Sequence, residues 1–425
     1  MLRTANSCLR VASSSSARFS TKLAPAEVRR DDALKKFIVD KIRATGPITV
    51  AEYMKTAISA PAVGFYGGFS DSKQIFGNQG DFVTAPELTQ LFGEMIGIWI
   101  YHELANTGHT GEWQLIECGP GSGTLMKDML SVLNKFGETK VSVHLVETSD
   151  ALIEKQERAI CVDNSTCTFE NVKFVKKNKS RCGVPVYWYK NVDDVPEGFS
   201  VFVANEFLDA LPVHQFVRGR DDSWHEVYVN LDKDNQLVFM NSKGENLHTR
   251  GLLSENIRKK SGRKCFEICP EAGTFINQVA ERIMYNGGFG LIVDYGHDGT
   301  REDLSFRAYS QHRQVNPLSR PGTIDLTADV DFSYLRSLVE DRLLVYGPQT
   351  QREFLGQLGI ELRLRRLLQS CKDAKQQKII VDCYNYLMGE MGLKFQAMSV
   401  FPKTLEKILE KRGAPAGFAK KQAEK

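Results

Sequence analysis

The chain has 425 residues, 42% hydrophobic and 25% charged, which is enough apolar material for one large or two modest globular cores. A formal net charge of +3 argues against broad electrostatic binding to nucleic acid. No apolar run approaches the roughly 20 residues that a membrane-spanning helix needs, and the best candidate, LFGEMIGIWIYHELA, is interrupted by Glu94 and His102. The nine scattered cysteines form no CxxC pair, so they read as reduced packing residues and no metal is expected.

Residues 1–26 contain Arg3, Arg10, Arg18 and Lys22, no acid, and six serines in the first 20 positions. This is the composition of a mitochondrial transit peptide, with ARFSTK as its processing site, so residues 1–21 are expected to be a targeting segment. Residues 22–110 read as an N-terminal helical and lid region. A helix from about Asp31 meets a turn at Gly46 and Pro47, and Thr49 caps a second helix with Glu52 three residues on. The stretch Pro61 to Thr84 carries Gly64, Gly67, Gly68, Gly77 and Gly80 and reads as a loop, either a lid over a ligand or a plain surface connection. A helix from about Pro86 to Ala105 follows.

Residues 111–211 form the first part of a nucleotide-type core. Trp113, Leu115 and Ile116 suit a buried strand, and TLMKDMLSVLNKF suits a helix with Leu125, Met129, Val132, Leu133 and Phe136 on one face. Between them, ECGPGSGT places Glu117 two residues before Gly119, Gly121 and Gly123. Glycines at this spacing let backbone N–H groups approach a bound molecule. A dinucleotide fingerprint, G-x-G-x-x-G, would require glycine where Thr124 stands. The pattern instead resembles motif I of the class I S-adenosylmethionine methyltransferases. VSVHLVET brings Glu147 to the end of the next strand, 28 positions after Gly119, where a carboxylate can accept from both ribose hydroxyls. ALIEKQERAI reads as a helix, the lysine run of VKFVKKNKSRC as a solvated loop, and VPVYWYKNVDDVP as a strand and loop. FVAN then forms a strand, and NEFLDALP sets Asn205, Glu206 and Asp209 at its carboxyl end, with Glu206 and Asp209 one helical turn apart.

Residues 212–269 alternate like β-hairpins and read as a β-rich substrate insertion. Residues 270–402 resume the core: CPEAGTFINQVAERIMYNGG is an amphipathic helix with Phe275, Val279 and Ile283 aligned, GFGLIVDYGH a buried strand, and LKFQAMSVF the last strand. Residues 403–425 form a charged tail expected to fray.

Taken in order, GFYGG, FGNQGDFVTAPEL, LFGEMIGIW, LIECGPGSGTLMKDML, VANEFLDALPVHQF, LIVDYGH and RAYSQHRQVNPLSRPGTIDLTADVDF resemble the MidA-like methyltransferases over roughly residues 31–402. The resemblance implies an α/β fold, a Rossmann-like, seven-stranded, mostly parallel sheet with an extra region. It also implies S-adenosylmethionine as cofactor and symmetric dimethylation of an arginine on a core subunit of respiratory complex I in the mitochondrial matrix. Cofactor contacts are expected from Glu117, Gly119, Gly121, Gly123 and Glu147. Guanidinium is cationic with delocalised lone pairs, so a carboxylate clamp is needed to hold and aim it. Glu206 and Asp209 are cast as that clamp, with Asn205 bonding to cofactor or substrate. The better-known arginine methyltransferases carry two glutamates there instead. His312 and Asp325, Asp329 and Asp331 match family motifs and read as a structural histidine and helix-capping aspartates. The alternatives are a methyltransferase with another acceptor, or a cofactor-binding assembly chaperone without essential chemistry. A nicotinamide oxidoreductase is disfavoured by Thr124.

Overall fold

The computed structural model describes residues 25–66, 84–162, 173–259, 263–311 and 313–419. The transit-peptide segment, most of the glycine-rich lid stretch and His312 lie outside the described residues. Helix α1 (Pro25–Thr45) leads through a two-residue strand β1 (Ile48–Thr49) into α2 (Val50–Ser59), whose first turn is capped by the Thr49 hydroxyl accepting from Glu52 N–H at 3.0 Å. The helix expected over 86–105 is two helices, α3 (Ala85–Leu88) and α4 (Gln90–Thr107), because Thr89 adopts an extended conformation and caps the second.

The cofactor core then begins. Strand β2 (Trp113–Cys118), α5 (Thr124–Lys135), β3 (Val141–Val146) and α6 (Asp150–Ile160) follow the expected alternation. Phe136 departs from the buried face of α5: it lies past the last turn, half exposed, stacked on Tyr101 at 4.4 Å. The lysine run is also not a loop. Lys176–Lys179 form β4, an edge strand antiparallel to β5 (Pro185–Tyr189), and Lys176 ion-pairs the buried Glu157 of α6. Lysines suit an edge because they deter further strand pairing. Strand β6 (Ser200–Asn205) completes this half.

Next come β7 (His214–Arg218), β8 (Trp224–Leu231), β9 (Leu237–Asn241), α7 (Leu247–Leu252), α8 (Glu255–Lys259) and β10 (Cys265–Ile268). Helix α9 (Pro270–Asn286) and β11 (Gly288–His297) return to the core. Three short strands, β12 (Arg307–Ser310), β13 (Arg313–Val315) and β14 (Asp325–Thr327), make a small antiparallel sheet. They are followed by β15 (Val330–Asp331), α10 (Phe332–Val339), β16 (Leu343–Thr350), α11 (Gln351–Gln357), α12 (Ile360–Ser370) and α13 (Ala374–Tyr386). The one-turn α14 (Gly392–Lys394), β17 (Phe395–Pro402) and α15 (Glu406–Arg412) close the chain.

The main sheet runs β4-β5-β3-β2-β6-β11-β17-β16, with β15 beside β11. Strands β5, β3, β2, β6 and β11 are parallel, and β17 is antiparallel to both its neighbours. Seven of these strands, β5 to β16, match the expected core, and β4 and β15 are short additions. Alternate residues face opposite layers. Leu115, Val201 and Val203 pack towards α4, α5 and α11 to α13, whereas Ile116, Phe202 and Ala204 pack towards α9 and α10. The chain leaves β2 first towards β3 and later returns on the other side at β6. This makes the carboxyl ends of β2 and β6 the switch point where a doubly wound sheet opens a crevice.

The second sheet, β1-β8-β7-β10 with β9, draws one strand from the N-terminal segment. Leu34, Ile38, Ile42 and Tyr53 share a core with Val227, Val229, Ala308 and Leu326, so α1 and α2 clamp the hairpins and the small sheet together. As far as residue 419 the tail expected to fray is tied down instead. Arg412 pairs with the buried Glu103, whose carboxylate also accepts from Ala416 N–H at 2.9 Å; Trp99 Nε1 donates to Ala416 O at 2.9 Å, and Phe418 packs on Phe354 at 5.2 Å. No helix among the described residues is long and apolar enough to cross a membrane.

Candidate active site

A cleft of about 1080 Å³ opens at the switch point. Glu117, Gly119, Gly121, Glu147, Asn205 and Glu206 all line it. Gly123 and Asp209 are not among its lining residues. Gly123 works one step back: its φ of 80° starts α5, and a Cβ there would sit 3.1 Å from Gln156 Cα, so the glycine allows α6 to pack close. Gly119, at φ 67°, faces Phe207, whose Cδ2 lies 2.7 Å from where a Cβ would be.

Gln156 joins the two halves of the expected cofactor site. Its amide donates to Gly121 O at 3.0 Å and to Glu147 Oε2 at 3.1 Å, and its carbonyl accepts from Trp188 Nε1 at 3.0 Å. Glu147 Oε1 accepts from Ser149 N–H at 2.8 Å. Both Glu147 oxygens are thus aimed by the protein. Across the loop, Glu87 of α3 accepts from the Ser122 hydroxyl and from Thr124 Oγ1 at 2.7 Å, bringing a third acid to the glycine turn. Thr124, which breaks the dinucleotide fingerprint, is therefore committed to Glu87.

The turn after β6 is not helical. Glu206 takes a left-handed φ of 51°, and its N–H donates to Val293 O at 3.0 Å. Asp294 Oδ2, fully buried, accepts from the N–H groups of Phe207, Leu208 and Asp209 at 3.1, 2.8 and 3.3 Å. This nest of donors curls the chain and points Glu206 into the cleft, where Oε1 accepts from Ala85 N–H at 3.1 Å and Asn205 Nδ2 at 3.2 Å. Asp209 faces the other way and accepts from Thr327 Oγ1 at 2.8 Å. The helical turn expected to align Glu206 with Asp209 is absent, and of the two only Glu206 lines the cleft. Asp329 pairs with Arg301 and Arg307, and Asp331 caps α10 by accepting from Ser333 and Tyr334 N–H; Asp325 is buried in β14.

Burial sets the electrostatics. It pushes the carboxyl of Glu117 up to about 8 and that of Glu147 up to about 7, the latter held back by the donors at Ser149 and Gln156. Glu206 rises to about 8 through burial and then the charge of Asp209, while burial raises Asp209 to about 6 against the pull of Thr327 and Arg307. Tyr66, also on the cleft wall, is pushed up by burial and by Asp325, Asp209, Glu147 and Glu206. Among the lining residues, Glu87, Glu117, Glu147, Asp150, Glu206 and Glu271 face a single basic side chain, Lys190, which is bonded to Asp150.

A family model for S-adenosyl-L-methionine-dependent methyltransferases matches residues 95–349. The chain belongs to this family. It is 62% identical over 397 residues, 93% of each chain, to the mitochondrial protein arginine methyltransferase NDUFAF7 homolog of Caenorhabditis elegans. It is 38% identical to the protein arginine methyltransferase NDUFAF7, mitochondrial, of Homo sapiens, over 90% of this chain and 86% of that one. A crystal structure of a COG1565 superfamily member from Burkholderia thailandensis bound to S-adenosyl-homocysteine superposes with a TM-score of 0.76 at 24% identity, over 95% of this chain and 98% of that chain, and shares the fold.

The methyltransferase's own residues fit its cofactor. Glu117 Oε2 and Asn205 Oδ1 are buried in the cleft wall without a hydrogen-bond partner among the described residues. An unmet acceptor of this kind costs about 1–3 kcal/mol unless a ligand supplies the donor, and a nucleoside and an amino group both can. The volume of about 1080 Å³ lies just above the roughly 300–1,000 Å³ typical of a small-molecule site, which leaves space for a second reactant. Sequence reasoning did not single out Glu87 or Gln156, and placed Asp294 at the end of a buried strand without a role. Glu87 stands inside the quoted FVTAPEL motif and was within reach, whereas Gln156 has no local signal.

Proposed function

We propose that this methyltransferase transfers methyl groups to a protein arginine, as symmetric dimethylation, on a core subunit of respiratory complex I in the mitochondrial matrix. The observation that carries the reading is Glu206: a half-buried carboxylate, aimed into the cofactor cleft by a strained turn and flanked by the unpaired Oδ1 of Asn205. The relatives are named as protein arginine methyltransferases and as mitochondrial, which supports the acceptor and the organelle.

Bound S-adenosylmethionine supplies a methyl group on a sulfonium. The protein has to hold, orient and neutralise. Gly119 and Gly121 bring backbone against the cofactor, Glu147 takes the ribose hydroxyls, and Glu117 receives a donor at the cleft wall. Glu206 accepts from two guanidinium N–H groups and concentrates positive charge there, which leaves lone-pair density on the third nitrogen. Asn205 Oδ1 accepts one further N–H. Asp209 acts from behind, where its charge raises the proton affinity of Glu206. Methyl transfer to a guanidinium leaves a dication, and a carboxylate titrating near 8 is a base of suitable strength to take one proton from a nitrogen it already holds.

The test is to incubate the purified chain with methyl-labelled S-adenosylmethionine and complex I subunits in unmodified form, then hydrolyse and separate the labelled amino acids. Symmetric dimethylarginine from one core subunit is the expected product. Label confined to another residue type, or to small molecules, overturns the reading.

A further inference from the structure

We propose that His214, Glu226 and His248 form a binding site for a divalent transition-metal ion of the zinc type, separate from the methyl-transfer cleft. The three residues come from three elements. His214 opens β7, Glu226 lies in β8, and His248 lies in the first turn of α7. Phe216 pairs with Glu226 across the two strands, so His214, two residues from Phe216, projects from the same face diagonally opposite Glu226. His214 Nδ1 lies 2.7 Å from Glu226 Oε1, and His248 Nδ1 lies 2.9 Å from Oε2. The three ligand atoms all fall within 4.8 Å of one another. None of the three residues lines the cleft.

Two imidazoles and one carboxylate, with a fourth position left for water, is a donor set that suits zinc. The surroundings add three features. The Glu226 side chain is fully buried, so its charge needs strong compensation. An outer shell orients it: Asn246 Nδ2 donates to Glu226 Oε2 at 2.5 Å and contacts Tyr228 Oη at 2.8 Å. Asn246 is itself fixed by its capping box with Thr249. The His248 side chain is 45% exposed, which gives an ion a way in.

Zinc–nitrogen bonds of about 2.0–2.1 Å put tetrahedral ligand atoms about 3.3 Å apart. Each imidazole would therefore withdraw from the carboxylate by about half an ångström, through small rotations of both histidine rings. The bound ion would pin α7 onto the β7–β8 hairpin. The competing arrangement is a carboxylate that accepts two imidazole N–H bonds. That arrangement requires a proton on both Nδ1 atoms, whereas metal binding requires both to be free of one.

The experiment is calorimetric titration of the full chain, stripped with chelator and exchanged into metal-free buffer, with Zn(II), alongside the variants His248→Ala and His214→Ala. Co(II) added to the same samples reports ligand geometry by visible absorption. We expect one equivalent of Zn(II) bound with a dissociation constant below about 10 μM, a tetrahedral Co(II) spectrum, and a melting temperature raised by at least about 3 °C in excess Zn(II). His248→Ala, at a half-exposed position, should fold normally, weaken binding at least 100-fold and abolish the melting shift. No stoichiometric binding to the parent chain, or binding in both histidine variants as strong as in the parent, overturns the site and leaves a hydrogen-bonded carboxylate.

Discussion

Replacing Glu206 with glutamine removes one charge and almost no volume. The left-handed turn stays in place, since Asp294 still gathers the three N–H groups that follow. The glutamine carbonyl can keep the bond from Ala85 N–H, which turns its NH₂ towards the cleft. A guanidinium then meets donors where it had met a carboxylate. Two unit charges about 4 Å apart attract by about 4 kcal/mol at an effective dielectric constant near 20. Each 1.4 kcal/mol is a factor of ten, so kcat/KM for an arginine substrate should fall about 10³-fold. Cofactor affinity should change less than about threefold. The pH profile separates this from a general loss of fold. The parent kcat/KM should rise with pH and level off above about 8, where free Glu206 becomes the carboxylate. In Glu206→Gln that rising limb should vanish. Single-turnover assays on a subunit peptide across pH 6 to 9, with calorimetry for the cofactor, give both readouts. A variant that keeps more than a tenth of the parental kcat/KM would refute the clamp.

Other perturbations probe the cofactor loop, the cleft wall and the tail. Gly119→Ala puts a Cβ 2.7 Å from Phe207 Cδ2 on a residue at φ 67°, at a cost of about 1–2 kcal/mol before any displacement; the cofactor dissociation constant should rise at least about tenfold by calorimetry. Glu117 is buried with its carboxyl raised to about 8, so the folded chain favours its protonated form. That contribution is complete below the ordinary glutamate range and is lost as pH rises towards 8, so the melting temperature of the ligand-free protein should fall between pH 5 and 8, and less steeply in Glu117→Gln. Arg412→Ala leaves the buried Glu103 with Ala416 N–H as its main remaining donor. Breaking a buried pair from one side costs about 3–5 kcal/mol, and the partial exposure of Arg412 places this case at the low end. The urea midpoint should shift down accordingly, and an unchanged midpoint would mean the C-terminal segment contributes nothing.

What could be read in advance was local. The strand, glycine turn and helix from Trp113 to Lys135 declare themselves through a change of hydrophobic period across a run of glycines, and Glu147 follows from its place at the end of the next strand. The features that escaped depend on partners far along the chain. Lys176–Lys179 became a strand because Glu157 and β5 receive it, and the tail is ordered because Glu103, some 300 residues earlier, is buried beneath it. The hairpin cluster of His214, Glu226 and His248 has no ligand spacing that a sequence scan detects, since register and a helix cap bring it together. Glu206 and Asp209 show the same limit at the site itself. Three residues apart, they suggest a helical turn, but Asp294 on the neighbouring strand takes the three N–H groups that a helix would have used, and the chain folds round its carboxylate. Glu206 pays for this with a positive φ that costs a non-glycine residue about 1–3 kcal/mol. A strained acid, held by a second buried acid at the mouth of a cofactor cleft, is hard to account for by stability alone. Its position follows if the turn is kept to present one carboxylate to a cation.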